Sequence, residues 1–274
     1  MNRMISLSIL AAALTAGTAH AHDFWVQPDT FTPEDSGALL VSLFVGHGSD
    51  KSDWPLRPHR IVGFQSFGPE GQNNQARGAE SLSGDLSVVL DEIGTHLILV
   101  ETTNSFSELD ADKFTSYVED EGIRPIMLDR AANRAEDHPG KELYSRRGKA
   151  LVQVGCPDEA SDNWGKELGL TLEIVPGANP IDWNVGATMP INVHYHGVPV
   201  SGATLHITNL DDDTVHFSAE TDVDGVVDIS SSLTEGRWLV HTVWAEAADG
   251  LLEGADYQTI FSSLTFDTES PCPR

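Results

Sequence analysis

Positive charge is scarce in this sequence: 16 Lys and Arg stand against 42 Asp and Glu, for a formal net charge of −26. Such a balance argues against nucleic acid and anionic membrane surfaces as partners, because both recruit basic faces. It favours solubility and the attraction of cations. Cysteine is nearly absent too, with only Cys156 and Cys272. Two cysteines so far apart make a weak metal motif. In an oxidising compartment they are candidates for a disulfide between a mid-chain loop and the C-terminal tail, although sequence alone leaves their Cα separation open.

Catalytic signatures are missing as well. There is no G-x-S-x-G elbow, no H-E-x-x-H and no phosphate-cradling glycine loop. Paired acids are too plentiful in so acidic a chain to discriminate anything. No residue is assigned a catalytic role, and the chain is read as a binding protein rather than an enzyme. Beyond the N-terminus no segment is apolar enough to cross a bilayer, which takes ~20 apolar residues.

The N-terminus itself has the three parts of a secretory signal peptide. Arg3 supplies the positive start, Ile5 to Ala16 supply the apolar run, and Ala19-His20-Ala21 fits the small-x-small cleavage pattern. Residues 1–21 are therefore expected to be removed and the protein to be exported. Cleavage would make His22 the first residue, with a free α-amine beside its imidazole. Those two nitrogens can chelate one ion from a single residue, and another histidine would complete a three-nitrogen site suited to Cu, Ni or Co. The alternative is that a histidine falls there by accident of cleavage.

Short alternating apolar runs separated by Gly, Pro, Asn and Asp predict an all-β chain of two β-sandwich domains, immunoglobulin- or transthyretin-like. The first is read at 22–156, with strands at 39–45, 96–100 and 150–154 and a helical insertion at about 110–148. In that insertion Asp110 or Asp112 can cap a helix whose Phe114, Tyr117 and Val118 share a face, and Gly122 ends it. Pro125 then opens a second helical stretch. A polar segment from Cys156 to Lys166 is read as the boundary. The second sandwich is read at 167–268, with strands at 170–175, 190–196, 203–209, 226–229, 236–245 and 258–266.

His47 is the natural partner for His22. Leu39, Val41, Leu43 and Val45 share one strand face, and a period of two puts His47 on that face as well. Gly46 and Gly48 on either side would permit a sharp turn and a close backbone approach. A structural histidine at a strand end is the alternative. His241 shares its face with Leu239 and Val243 and is read as partly buried, a weaker candidate. His194 and His196 share a face with Asn192, which describes an ordinary half-exposed strand. Nothing local marks His59, His96, His138, His206 or His216 as ligands. Asp211-Asp212-Asp213 and Asp222-x-Asp224-Gly225 raise calcium, but neither supplies the full loop of an EF-hand, so both are read as hairpin turns.

The expected mature start, His22-Asp23-Phe24-Trp25-Val26-x-Pro28, resembles the opening of an exported bacterial family described as the periplasmic component of cobalt/nickel transport systems. Much of that family is described only as a domain of unknown function. Val45-Gly46-His47-Gly48, Asp112-Lys113-Phe114 with Tyr117, Glu119-x-Glu121-Gly122 and Glu142-Leu143-Tyr144-Ser145-Arg146 resemble its later segments, as do Gly236-Arg237-Trp238-Leu239-Val240 and Ser263-Leu264-Thr265-Phe266. The resemblance implies a periplasmic protein that handles cobalt or nickel, with His22 and His47 as ligands and a membrane metal transporter as partner. Where relatives tend to place a histidine late in the strand after the tryptophan, this chain has Trp244, and His241 lies three positions earlier. Asp23 is read as a residue that orients a ligand ring or lends an oxygen. Two other readings stand beside this one: a non-metal envelope adhesion or scaffold module, and a copper chaperone or redox protein that uses the same His22 chemistry.

Overall fold

Alternation of apolar and polar residues folds most of this chain into strands, as its sequence predicts. The computed structural model describes residues 23–48, 50–55, 57–80, 85–157, 162–249 and 254–272. His22 and residues 1–21, where the sequence predicts a signal peptide, lie outside the described residues. The first half runs through strands β1 (Asp23–Pro28), β2 (Gly37–His47), β3 (Asp50–Asp53), β4 (Ile61–Gly68), β5 (Gly71–Asn74), β6 (Leu86–Leu90), β7 (Gly94–Thr102) and β8 (Ser105–Leu109). Helices α1 (Ala111–Asp120) and α2 (Arg124–Asn133) follow, and then β9 (Gly140–Val154). The second half contains β10 (Leu172–Pro176), β11 (Pro190–Tyr195), β12 (Val198–Pro199), β13 (Thr204–Asn209), β14 (His216–Glu220), β15 (Val226–Asp228), β16 (Arg237–Ala247) and β17 (Tyr257–Asp267). The fold is all-β apart from the helical pair and a few short 3-10 turns.

One large sheet runs through both halves in the order β14-β13-β16-β17-β9-β7-β4-β5, with β8 also paired to β9. Its neighbours pair antiparallel except at the seam, where β17 and β9 run parallel from Tyr257 opposite Glu142 to Thr265 opposite Ala150. Each half adds a smaller sheet. One is β1-β2-β3 with β6 on β2, and the other is β10-β11-β12 with β15 on β11. The first small sheet packs Phe24, Val26, Val41, Leu43, Leu86 and Val88 against Ile98, Val100, Ala150 and Val152. The second covers the opposite face of the large sheet, where Leu172, Ile174, Ile191 and Val193 meet Leu97, Leu99, Leu151, Val240 and Leu264. Each such aliphatic side chain contributes on the order of 1.5–3 kcal/mol by burial.

The helical pair presents Phe114, Tyr117, Val118, Ile123 and Ile126 to Val243, Ala245, Tyr257 and Phe261. These sheet residues alternate with Val240, Ile260 and Leu264, so the helices lie on the face that β1 also crosses. There the Thr265 hydroxyl donates to the carbonyl of Val26 at 2.6 Å. The expected helical insertion at about 110–148 is shorter than read: α2 ends at Asn133, and β9 begins at Gly140. The segment from Lys141 to Lys149 is rich in charge, which hides a strand: Lys149 pairs with buried Glu173, Arg147 with Glu101, and the Arg146 guanidinium lies over Phe24, Tyr144 and Phe261.

Cys156 and Cys272 are joined in a disulfide, with Cα atoms 5.4 Å apart and 116 residues between them in sequence. Closing so long a loop restricts the unfolded chain, and native disulfides typically stabilise by about 2–4 kcal/mol. For a chain of this size, reduction is expected to lower the melting temperature by roughly 5–15 °C. Scanning calorimetry with and without reductant checks this, and superimposable melts would contradict it.

Candidate metal centre

The residue that organises the site is Asp23, the first of β1. It faces Gly46 in the antiparallel register of β1 and β2, and its side chain is almost wholly buried. Its Oδ2 lies 3.2 Å from His47 Nδ1 and 3.2 Å from His241 Nε2. One carboxylate oxygen from the first half therefore bridges a histidine of the small sheet and a histidine of the large one.

His47 reaches this point from the end of β2 because of its two glycines. Gly46 has φ +137°, and a Cβ there would collide with the Asp50 carbonyl. Gly48 has φ +53° and approaches so closely that a Cβ would stand 2.6 Å from that of Asp213. Another residue at Gly46 would force β2 and β3 apart, and one at Gly48 would push the hairpin away from the second half. The His47 side chain remains 61% exposed, whereas that of His241 is 7% exposed. His47 thus stands at the mouth and His241 at the floor.

Two groups unmarked in the sequence complete the floor. His206 on β13 lies directly across from His241 on β16, and the two rings stack with centroids 4.8 Å apart. Glu121 follows the last turn of α1 and is buried, with Oε2 4.0 Å from His206 Nε2. Gly122, at φ +64°, lets the end of α1 press on Thr204 of β13, where a Cβ would overlap the threonine side chain. Asp23, Glu121 and His241 each offer one ligand atom, all within 4.8 Å of one another. Above them opens a cleft of ≈ 270 Å³, whose outer wall includes Thr208, Asp213, His216 and Ser218.

The electrostatics follow from burial and from the shared carboxylate. Burial opposes ionisation of Asp23, but His241 and His47 outweigh it and hold the carboxyl below the usual range. The hydrogen bond to Asp23 raises His47 above the ordinary imidazole value, against a smaller effect of burial. Burial pushes His241 down to about 4, so its ring is neutral at physiological pH. Burial also lowers His206. Glu121 is pushed well above the carboxylate range, first by burial and then by the nearby negative charge of Asp23. Neutral imidazoles beside ionised and ionisable carboxyls make a mixed nitrogen–oxygen donor set.

The structure brings Asp23, His47 and His241 together. Asp23, read from the sequence as a residue that orients a ligand ring or lends an oxygen, contacts both imidazoles. His22 lies outside the described residues. His194 lies elsewhere, its Nδ1 4.0 Å from Glu167 Oε1. His196 occupies a left-handed turn position, at φ 51°. Asp211 engages Arg237, while Asp222 Oδ1 accepts the backbone N–H groups of Asp224 and Val226, as befits turns. His206 could have been found only through the β13–β16 register. Twenty-seven residues of intervening turns and strands conceal that register in the sequence.

A family model described as "Domain of unknown function (DUF4198)" matches residues 19–246. The chain belongs to this family. That span covers Asp23, His47, Glu121, His206 and His241, and so the whole described cluster of this DUF4198 protein. No curated protein matches the sequence. Two solved structures are among those that the chain matches. The D0-D1 domain of Intimin shares 14% identity over 89% of this chain and 97% of its own, with a TM-score of 0.20. Dimeric latent PorU from Porphyromonas gingivalis shares 9% identity over 90% of this chain and 20% of its own, also with a TM-score of 0.20.

Proposed function

We propose that this is an exported periplasmic protein that binds a late transition-metal cation around Asp23 and supports its uptake. The observation that carries the reading is the convergence of His47 Nδ1 and His241 Nε2 on one buried carboxylate oxygen, each at 3.2 Å. Two further oxygens fit a cation: Asp23 Oδ1 and Glu121 Oε2 are buried and have no hydrogen-bond partner among the described residues. Buried acceptors of this kind are costly when left unsatisfied, and a divalent ion would satisfy both. Imidazole and carboxylate donors together suit Ni, Co or Cu, with no thiolate required.

His22 is covalently joined to Asp23, so a processed N-terminus would bring an amine and an imidazole to this neighbourhood. In this reading those two nitrogens and His47 form one side of the coordination sphere. Asp23, His241 and Glu121 form the other. The resemblance to a cobalt/nickel transport component favours those metals as cargo and a membrane metal transporter as the acceptor. Copper is the second reading, since Cu(II) heads the affinity order for such donors. No chemical step is asked of the site, which holds and hands on an ion.

A cation must displace protons from the raised His47 and the raised Glu121. Affinity should therefore fall as pH falls through the histidine range, because protons compete for the ligand atoms. The test is calorimetric titration of Ni, Co and Cu into protein that begins at His22, into the same protein with one added N-terminal alanine, and into His47→Ala. Tight one-to-one binding is expected for the first only. At pH 5 that affinity should drop by more than about tenfold. If all three proteins bind alike, or none binds, the site is not metal-dependent as described and an envelope scaffold becomes the better reading.

A further inference from the structure

Away from the metal centre, two arginines of the first half stand together with no acid against them. Arg146, on β9, is only 8% exposed. Its Cζ lies 4.7 Å from the ring centroid of Tyr144, 5.6 Å from that of Phe261 and 5.7 Å from that of Phe24. Aromatic faces stabilise the charge but do not satisfy the in-plane N–H groups. Arg146 Nε is buried and has no hydrogen-bond partner among the described residues. Arg60, in the turn before β4, is close enough for its charge to oppose that of Arg146. Its own Nε is likewise buried and unpartnered among the described residues. Neither arginine makes an ion pair there. Glu142, the acid of β9, turns instead to the Tyr117 hydroxyl at 3.4 Å.

Two hydroxyls complete the group. Arg60 Nη2 donates to Ser105 Oγ, and the Arg146 guanidinium donates to the Tyr144 hydroxyl. Ser105 and Tyr144 face each other in the β8–β9 register. Each oxygen accepts from an arginine and so keeps its own proton to give. Arg60, Ser105 and Tyr144 are partly exposed, which sets the buried Arg146 behind a rim of donors. We propose that this group binds a small, doubly charged oxyanion of the phosphate or sulfate type. Two guanidinium charges without a counter-ion are costly to bury, and one dianion neutralises both. Guanidinium edges and hydroxyl protons also suit the several oxygens of a tetrahedral anion, whereas a carboxylate brings half the charge. The chain has 42 acids and places none against either guanidinium. Its net −26 repels anions at long range, so any affinity must come from this local group. A bilayer phosphodiester carries a single charge, which leaves the free ion or a small phosphate monoester as the source.

The experiment titrates inorganic phosphate, sulfate, glycerol phosphate, acetate and chloride into the metal-free protein at pH 8 and matched ionic strength. Calorimetry reads affinity and stoichiometry, and thermal melts read the saturable stabilisation that a bound anion confers. Phosphate and sulfate are expected to bind one to one, at least about tenfold tighter than acetate or chloride. Arg60→Gln removes one charge at the partly exposed rim and should weaken phosphate by about tenfold or more. Tyr144→Phe keeps the ring over Arg146 but removes a donor, and should weaken phosphate by about threefold or more. It also carries the test if Arg60→Gln does not fold. Glycerol phosphate that binds as well as phosphate identifies a phosphate monoester as the ligand; binding of the inorganic ions alone identifies the free anion. If phosphate binds no better than acetate, or binds both variants as it binds the parent, the arginines are structural only and the proposal falls. Because no metal is present, either result leaves the reading of the Asp23 centre as it was.

Discussion

Asp23→Asn is expected to weaken nickel binding by more than about 100-fold and to leave the metal-free protein folded. Altering a group that merely orients a metal ligand typically costs 10–100-fold, and Asp23 is here read as a ligand itself. Asparagine keeps the shape but removes the charge that His47 and His241 share at 3.2 Å each. It also removes the anion that raises His47, so the His47 imidazole should titrate at a lower pH in the variant than in the parent. The two readouts separate function from folding. Isothermal titration reports the affinity, and NMR titration of the imidazoles in the metal-free protein reports the local field. A variant that binds nickel as the parent does would remove Asp23 from the coordination sphere. A variant that has lost affinity but keeps an unshifted His47 would remove Asp23 from the pair that the structure describes.

Much of this site could be read in the sequence, for identifiable reasons. His47 was exposed by local order, since the strand alternation from Leu39 to Val45 and the flanking glycines fix both its face and its reach. Asp23 was legible as a neighbour of His22 but not as the hub. Its importance depends on His241, which lies 218 positions later and arrives through the large sheet. Glu121 could be read as the end of a helix. Only the approach of that helix end to β13, permitted by Gly122, turns it into a buried acid beside two imidazoles.

The same distinction runs through the fold. Apolar strands such as β2, β7 and β16 announce themselves by period. By contrast, the first ten residues of β9, Gly140 to Lys149, carry Lys141, Glu142, Arg146, Arg147 and Lys149 and look like a surface. They become a central strand because Lys141 meets Glu108, Glu142 meets Tyr117, Arg147 meets Glu101 and Lys149 meets Glu173, while Arg146 lies over the rings of Tyr144 and Phe261. The parallel seam between β9 and β17 is likewise invisible locally, since it joins segments more than a hundred residues apart.

One of those hidden charges gives the second large effect. Lys149 and Glu173 are almost completely buried between the large sheet and the second small sheet, with Nζ 2.9 Å from Oε1. Glu173 also accepts the backbone N–H groups of Leu168, Gly169 and Leu170, which anchors the segment entering β10. Burial opposes its ionisation, but Lys149 and these N–H donors hold its carboxyl below the ordinary range. In the parent this contribution is present above the unfolded carboxylate value and is lost as pH falls through the lowered folded one. Glu173→Gln retains an acceptor for the backbone but leaves Lys149 without a counter-charge. Breaking a buried pair in this way costs about 3–5 kcal/mol. Burial already lowers Lys149 below its usual value, and without Glu173 it should fall further. The folded variant then binds fewer protons than its unfolded chain between that lowered value and the ordinary lysine range, so its stability should rise with pH there. Urea melts at pH 7 and pH 9.5 test this, with a deficit expected at the lower pH that shrinks at the higher. An equal deficit at both would mean that Lys149 never carries an uncompensated charge, and that the loss comes from packing or from the backbone donors alone.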